Sequence, residues 1–463
     1  MNARAKTRPS ATIETADVVD LSHEGRGIAH IEGKATFIDD ALPGERVEWR
    51  RMKRTRNFDE GRLERVLVPS PDRVAPQCAH FGVCGGCVLQ HLSSDKQLAF
   101  KEQQLFDSLE RIGRVSPQTK LPALQADIWH YRRRARLAAR WVPKKQKTVV
   151  GFRERSTTYI ADLTTCEVLT AEVAALIEPL SQLITALSVR DRVPQIEVAH
   201  ADTAIALVVR VLSPLTDADR ALLLEFASTH KVELYVQPGG YDTVAKLAGE
   251  PAALSYRLPA FDVSIAFQPT DFIQINARLN ERMIDRALEL LAPQADEDVL
   301  DLFCGLGNFS LPLARRARRV VGVEGESGLV ERARQNARMN GIENAEFFTA
   351  NLAAEDLRML PWAQRGYAKV LLDPPRAGAR EALPVVAASG AQRVVYVSCH
   401  PGSLARDAGL LVHEHGFELQ AAGVMDMFPH TAHVESIAVF ERVGSRKGAP
   451  PPLALPRGAG EGG

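Results

Sequence analysis

The sequence predicts an α/β protein with a doubly wound parallel sheet in its C-terminal half, a small β-barrel at its start and an α+β domain between them. Apolar strands alternate with amphipathic helices from about residue 271 onward, which is the pattern of a doubly wound sheet. Between about residues 18 and 68, short strands are separated by Gly and Pro turns without a helical period, as in a barrel of the OB type. The chain has 463 residues, 45% of them apolar, enough for roughly three cores. The expected units are residues 1–70, 71–265 and 266–443, with a disordered tail over 444–463, where six Gly and four Pro fall in twenty residues.

In the first unit the strands are read at VVDL, GIAHI, ATFID, RVEWRRM and GRLERVLV. Residues 46–65 hold eight Lys or Arg against four acids, which favours a nucleic-acid surface. A Pro, Gly and Cys segment follows, then KQLAFKEQQLFDSLERIG with apolar residues at helical spacing. The central unit reads as strands RARLAARWV and TVVGFRE, helix AEVAALIEPLSQLITAL, and strands IEVAH and ALVVRVL. Residues 130–155 carry ten basic residues and one acid, interleaved with Tyr131, Trp141 and Phe152. Such a run can be only a solvated face; the aromatics favour an RNA-facing surface, since rings stack bases while Arg and Lys hold phosphates.

In the third unit helix INARLNERMIDRALELL precedes strand EDVLDLF, helix NFSLPLARRA, strand RVVGVEG, helix GLVERARQNARMNG and strand AEFFTA. Strand KVLLDPP, helix REALPVVAAS, strand RVVYVSC, helix SLARDAGLLVHEHG and a hairpin-like VMDMFPHTAHVESIAVFER complete it.

Charge and hydropathy bound the function. Fifty-seven basic and fifty-seven acidic side chains give a net charge of zero, so the total names no partner. No apolar run approaches the roughly 20 residues of a membrane span, and the N-terminal sequence lacks a signal-peptide core. A cytoplasmic protein without a membrane is expected, and no protein partner is evident.

The chemistry is read from the strand ends. In DLFCGLGNFSLPLA, Gly305 and Gly307 let a ligand approach the backbone beyond a strand, but Phe309 and Ser310 stand where a dinucleotide fingerprint continues toward its third glycine. Glu324 ends the next strand, where a carboxylate can hold both hydroxyls of a ribose. These features favour an adenosyl ligand such as S-adenosylmethionine over a nicotinamide. Asp373 ends another strand in LLDPPRAG, with Arg376 where amine methyltransferases place an aromatic. Cys399 follows strand RVVYVS and is the candidate nucleophile. A thiolate added to C6 of a uracil makes C5 nucleophilic enough to take a methyl from a sulfonium. A base must then remove the C5 proton, and Glu435, a carboxylate in an apolar run, is the candidate; the alternative is a surface Glu on an edge strand.

QPTDFIQIN, DLFCGLGNFSLPLA, LLDPPRAG, YVSCHPGSLARD and DMFPHTAHVESIAVFER, in that order, resemble the RNA uracil-C5 methyltransferases. The N-terminal module resembles a TRAM domain. The resemblance implies a Rossmann-like methyltransferase domain in which Gln268, Phe303, Asn308, Glu324, Asn351 and Asp373 contact S-adenosylmethionine, Cys399 is the nucleophile and Glu435 the base. His400 stands where Asn is usual, and Ala432 and Val434 replace Gly and Leu. Cys78, Cys84, Cys87 and the distant Cys166 resemble the ligands of a [4Fe–4S] cluster in the 23S rRNA members. Four thiolates can also hold zinc, though C-x5-C-x2-C is unlike a zinc ribbon. Having both TRAM and cysteines, the chain most resembles the members that methylate 23S rRNA. Another rRNA or tRNA uracil, cytosine-C5 methylation, and a non-catalytic RNA-binding protein are the alternatives.

Overall fold

The computed structural model describes residues 12–444 except 156, 355 and 356. The expected tail, apart from Gly444, and residues 1–11 of the segment read for a signal peptide lie outside the described residues. No described helix is long and apolar enough to cross a membrane.

The barrel is made by β1 (Ile13–Asp17), β2 (Asp20–Leu21), β3 (Gly27–Ile31), β4 (Lys34–Asp39), β5 (Arg46–Arg54) and β6 (Phe58–Val68), in the order β1-β5-β6-β4-β3-β2. Alternating residues close its core around Ile38, Val47 and Trp49. Gly61 lies under the Trp49 ring, where a Cβ would collide with it. The first strand precedes the expected VVDL, whose apolar Val18 is a core residue just beyond the strand end.

Residues 69–93 contain the first three cysteines and no helix or extended strand. Helix α1 (Ser94–Ser108) and β7 (Thr119–Lys120) follow. The central sheet holds β8 (Arg134–Val142), β9 (Lys147–Gly151), β10 (Gln195–His200), β11 (Ile205–Arg210), β12 (Val232–Gln237) and β13 (Ala245–Lys246), covered by α2 (Ala171–Ala174), α3 (Ile177–Ala186) and α4 (Asp217–His230). The single helix expected over residues 171–187 is interrupted because Pro179 has no N–H for the carbonyl of Ala175 and its ring crowds that carbonyl. Strands β14 (Leu254–Leu258) and β15 (Val263–Phe267) form a separate hairpin.

The C-terminal unit runs through α5 (Ala277–Leu291), β16 (Asp298–Leu302), α6 (Ser310–Ala314), β17 (Arg319–Glu324), α7 (Ser327–Met339), β18 (Ala345–Thr349), β19 (Lys369–Leu372), α8 (Leu383–Ala388), β20 (Arg393–Ser398), α9 (Pro401–His413), β21 (Phe417–Met425) and β22 (Glu435–Arg442). The sheet order is β18-β17-β16-β19-β20-β22-β21-β7. It is parallel from β18 to β20, but β22 enters antiparallel between β20 and β21, so the sheet is mixed. Glu435 therefore begins an interior strand and not an edge. Helix α1 and β7 pack on this sheet and not on the central one: Leu105, Leu109 and Val115 share a core with Phe417 and Phe440, and β7 pairs with β21.

Candidate active site

Every candidate catalytic residue lies beyond the carboxyl ends of the parallel strands or beside them on β22, the edge where open α/β sheets bind ligands. After β16 the chain turns through Phe303, Gly305 and Gly307, all at positive φ (66°, 53° and 91°). Glycine takes this conformation without strain, whereas a Phe there is uncommon and is held by its N–H donating to Val323 O. The carboxylate of Glu324, ending β17, accepts from the N–H groups of Gly305 (3.2 Å), Gly325 (2.6 Å) and Glu326 (3.2 Å), which fixes it against the glycine loop.

Asp301 lies wholly buried below that loop. One oxygen accepts from the Ser310 hydroxyl, while Oδ1 has no partner. Burial, with Asp373 and Glu324 nearby, pushes its carboxyl up to about 8, and burial pushes Asp373 up to about 7. Three carboxyl groups thus converge on one region, with an orphaned oxygen among them. That is a poor arrangement for an anion and a fitting one for a cationic ligand carrying a sulfonium and an ammonium.

Asn308 uses its amide elsewhere: Oδ1 accepts from Tyr256 (2.9 Å) and Asn280 (3.1 Å), and Nδ2 donates to Asn280 (2.9 Å). It ties the loop to β14 and α5. Gln268, just past β15, is exposed and exchanges backbone-mediated bonds with Asp271. Asn351, beyond β18, is exposed and its Oδ1 accepts from Ala353 N–H.

Cys399 directly follows β20. Burial raises its thiol to about 11, with Glu435 and Asp373 adding to the rise and Arg376 opposing it. Glu435 is 8% exposed, and burial raises it to about 8, aided by Asp373 and opposed by Arg376 and Lys101. Ser398 pairs with Ser436 across β20 and β22, which sets Cys399 and Glu435 side by side, and Asp373 and Arg376 act on the charge of both. His400 caps α9 through Nδ1, which accepts from Ser403 N–H at 3.1 Å; the imidazole performs the capping that an Asn oxygen performs elsewhere. The loop after Asp373 is held by buried Asp407, which accepts from Ala379 N–H and from Tyr396 Oη, both at 2.7 Å.

A groove of about 1220 Å³ lies beside the β21–β22 loop. Arg26 and Arg62 of the barrel, Gly85 and Gly86 of the cysteine segment, Phe152 and Arg153 of the central unit and His433 of the β21–β22 loop line it. His433 Nδ1 is 3.4 Å from Arg376. The basic run is less available than its composition suggests, since Arg133, Arg134, Arg136, Lys145, Lys147 and Arg155 all pair with carboxylates. Tyr131 is no stacking platform: it is 6% exposed and its hydroxyl donates to Pro429 O.

Cys78, Cys84, Cys87 and Cys166 line one small cavity with Phe81 and Phe152, although they are 79 residues apart in sequence at the last interval. Burial raises Cys87 to about 12 and Cys166 to about 11. Among the described residues no three His, Cys, Asp or Glu side chains are grouped as for binding one metal ion.

The profile of the tRNA (Uracil-5-)-methyltransferase family matches residues 93–443, and that of the TRAM domain residues 12–62. The chain belongs to the tRNA (uracil-5-)-methyltransferase family. Among curated members it is 54% identical over 443 residues to the 23S rRNA (uracil(1939)-C(5))-methyltransferase RlmD of Stenotrophomonas maltophilia (strain R551-3), covering 95% of this chain and all of that one. It is 55% identical over 428 residues to the protein of the same name from Xylella fastidiosa (strain 9a5c), covering 92% and 96%. A solved structure, the Pyrococcus abyssi tRNA (uracil-54, C5)-methyltransferase in complex with S-adenosyl-L-homocysteine, shares the fold with a TM-score of 0.71 at 23% identity, covering 92% of this chain and 99% of that one. Membership confirms the Rossmann-like methyltransferase unit and the N-terminal TRAM barrel. Sequence reading missed Lys101, Asp407 and the Tyr256–Asn280 pair. Lys101 and Asp407 are buried charges within helices, a signal that a helical period alone does not reveal.

Proposed function

We propose that the protein methylates C5 of a specific uracil in 23S rRNA, with S-adenosylmethionine as donor. The observation that carries this reading is the cluster of Cys399, Glu435, Asp373 and Arg376 at one sheet edge, beside the carboxylates of Asp301 and Glu324. The names of its relatives support the ribosomal substrate, and a cytoplasmic setting is proposed with it.

S-adenosylmethionine, when bound, supplies an electrophilic methyl group. Glu324 would hold the ribose hydroxyls and the buried carboxyls the cationic end; Gln268, Phe303, Asn308, Asn351 and Asp373 would complete the pocket, with Asn308 acting through the loop it ties down. The Cys399 thiolate adds to C6, and the electron pair moves onto O4. C5 takes the methyl as the sulfonium leaves as a thioether. Glu435 removes the C5 proton, the C5–C6 double bond re-forms and the thiolate departs. Cys399 reaches C6 only if the uracil leaves its stack, and the groove toward His433 suits an unstacked strand.

Cys78, Cys84, Cys87 and Cys166 fit a [4Fe–4S] cluster as an all-thiolate donor set around one cavity. Such a cluster would tie the irregular segment to the central unit; methyl transfer itself moves no net electrons. Anaerobic purification tests this: four irons per chain support it, and one zinc without iron contradicts it. Incubation with labelled S-adenosylmethionine and 23S rRNA lacking modification tests the activity, with label expected at C5 of one uracil. Label on a cytosine or on tRNA alone contradicts it.

A further inference from the structure

We infer that Lys101 is a positioning residue for proton removal: from α1 it pins the loop that delivers Glu435 and fixes a positive charge beside that carboxyl. This inference rests on Glu435 being the base. Lys101 is fully buried, and its Nζ lies 2.6 Å from Asp426 Oδ1 and donates to Phe428 O at 2.9 Å. Asp426 follows Met425, which pairs with Glu435 across the β21–β22 hairpin. The pinned residues and the base therefore share one hairpin end.

One turn earlier on the same face of α1, Gln97 accepts from His430 N–H at 2.9 Å and donates to Leu89 O and Leu92 O at 3.0 and 2.8 Å. His430 has a positive φ of 66°, and its carbonyl accepts from the N–H groups of Val88 and Leu89 next to Cys87. The loop between the two strands is thus held by side chains of α1 and by the cysteine segment.

A buried ion pair is seldom the cheapest way to stabilise a core, since apolar residues of equal volume often serve as well. A fixed cation near a buried base has a use that apolar packing lacks. The charged groups facing Glu435 are Asp373 and Arg376 from the loop after β19, Lys101 from α1 and the Cys399 thiol after β20, with Asp426 on its own hairpin. Among these groups Lys101 and Arg376 favour the carboxylate form; Arg376 meets the loop at His433, and Lys101 holds it through direct bonds to Asp426 and Phe428 O.

The experiment uses the full-length protein, unmodified 23S rRNA and S-adenosylmethionine labelled in the methyl group. Lys101→Met/Asp426→Asn removes both charges and leaves no lone buried ion. It is expected to keep the RNA KM within about twofold, lower turnover about 10- to 100-fold and leave a methyl-bearing protein–RNA adduct on denaturing gels. Its turnover should also rise at higher pH than in the wild type, because at Glu435 the loss of the Lys101 cation outweighs the opposing loss of the Asp426 anion. Lys101→Arg, which keeps the charge, is expected to retain the wild-type pH profile. Turnover of the double variant within twofold of wild type, or a loss entirely in KM, overturns the inference. If the double variant does not fold, Lys101→Arg decides, and a pH profile displaced to higher pH overturns it. A wild-type protein that forms no 5-methyluridine tells instead against the proposed function.

Discussion

The carboxyl edge of the C-terminal sheet and the cysteine segment hold reactive groups by opposite means. At the sheet edge, Glu324 ends a strand and Asp373 and Cys399 each follow one, so the ladder already fixes the backbone, and burial then raises the proton affinity of Asp373 and Cys399. In residues 69–93 there is no ladder. Arg155 grips the carbonyls of Cys84 and Cys87, the carboxylate of Asp40 and the ring of Phe81, while Gln90 accepts from Cys78 N–H. A regular scaffold tolerates loss of one side chain and loses only its chemistry. An irregular one depends on each cross-contact for its shape.

That contrast predicts graded effects. Cys399→Ala should abolish methylation, a loss on the order of 10⁴-fold or more, with unchanged RNA binding and melting temperature. Filter binding and thermal unfolding check it; a comparable loss of affinity would mean that the edge residues also build the fold. Glu324→Ala should raise the KM for S-adenosylmethionine by about 10- to 100-fold, the worth of charge-assisted hydrogen bonds, with a smaller change in kcat.

Donor binding should also depend on pH. Asp301 and Asp373, raised to about 8 and about 7, are largely neutral at pH 6 and ionised at pH 9. Between about pH 6 and 7.5, where the donor's own amino group stays largely protonated, a cationic donor should bind a few-fold more weakly at the lower pH, as calorimetry would show. Affinity that is flat across this range would mean that the buried carboxyls do not face the ligand. The smallest effect concerns the groove: Arg153→Gln should weaken RNA binding a few-fold and reduce the slope of log affinity against log salt by about 0.7.

The same contrast explains what could be read in advance. Strands β3 and β8 match the sequence reading residue for residue, and the parallel strands do so closely, because apolar runs bounded by turns encode them locally. Cys399, Asp373 and Glu324 were legible as residues ending such runs. The place of β22 was not, since a strand inserted antiparallel between two others depends on pairing across the sheet and leaves no local mark. Tyr131 misled for a related reason: an aromatic among arginines looks like a stacking surface, but its ring is buried and its hydroxyl satisfies Pro429 O. The cysteines were visible from their spacing, whereas their common cavity depends on Phe152 and on the long return to Cys166.

In the proposed mechanism Cys399 and Glu435 act in sequence on one uracil. The direct measurement is a denaturing gel of Glu435→Gln incubated with unmodified 23S rRNA and methyl-labelled S-adenosylmethionine, beside the wild type and Cys399→Ala/Glu435→Gln. A labelled protein–RNA band that persists in Glu435→Gln, fades in the wild type and is absent from the double variant is the expected result. Normal turnover by Glu435→Gln, or an adduct that survives loss of Cys399, would contradict it.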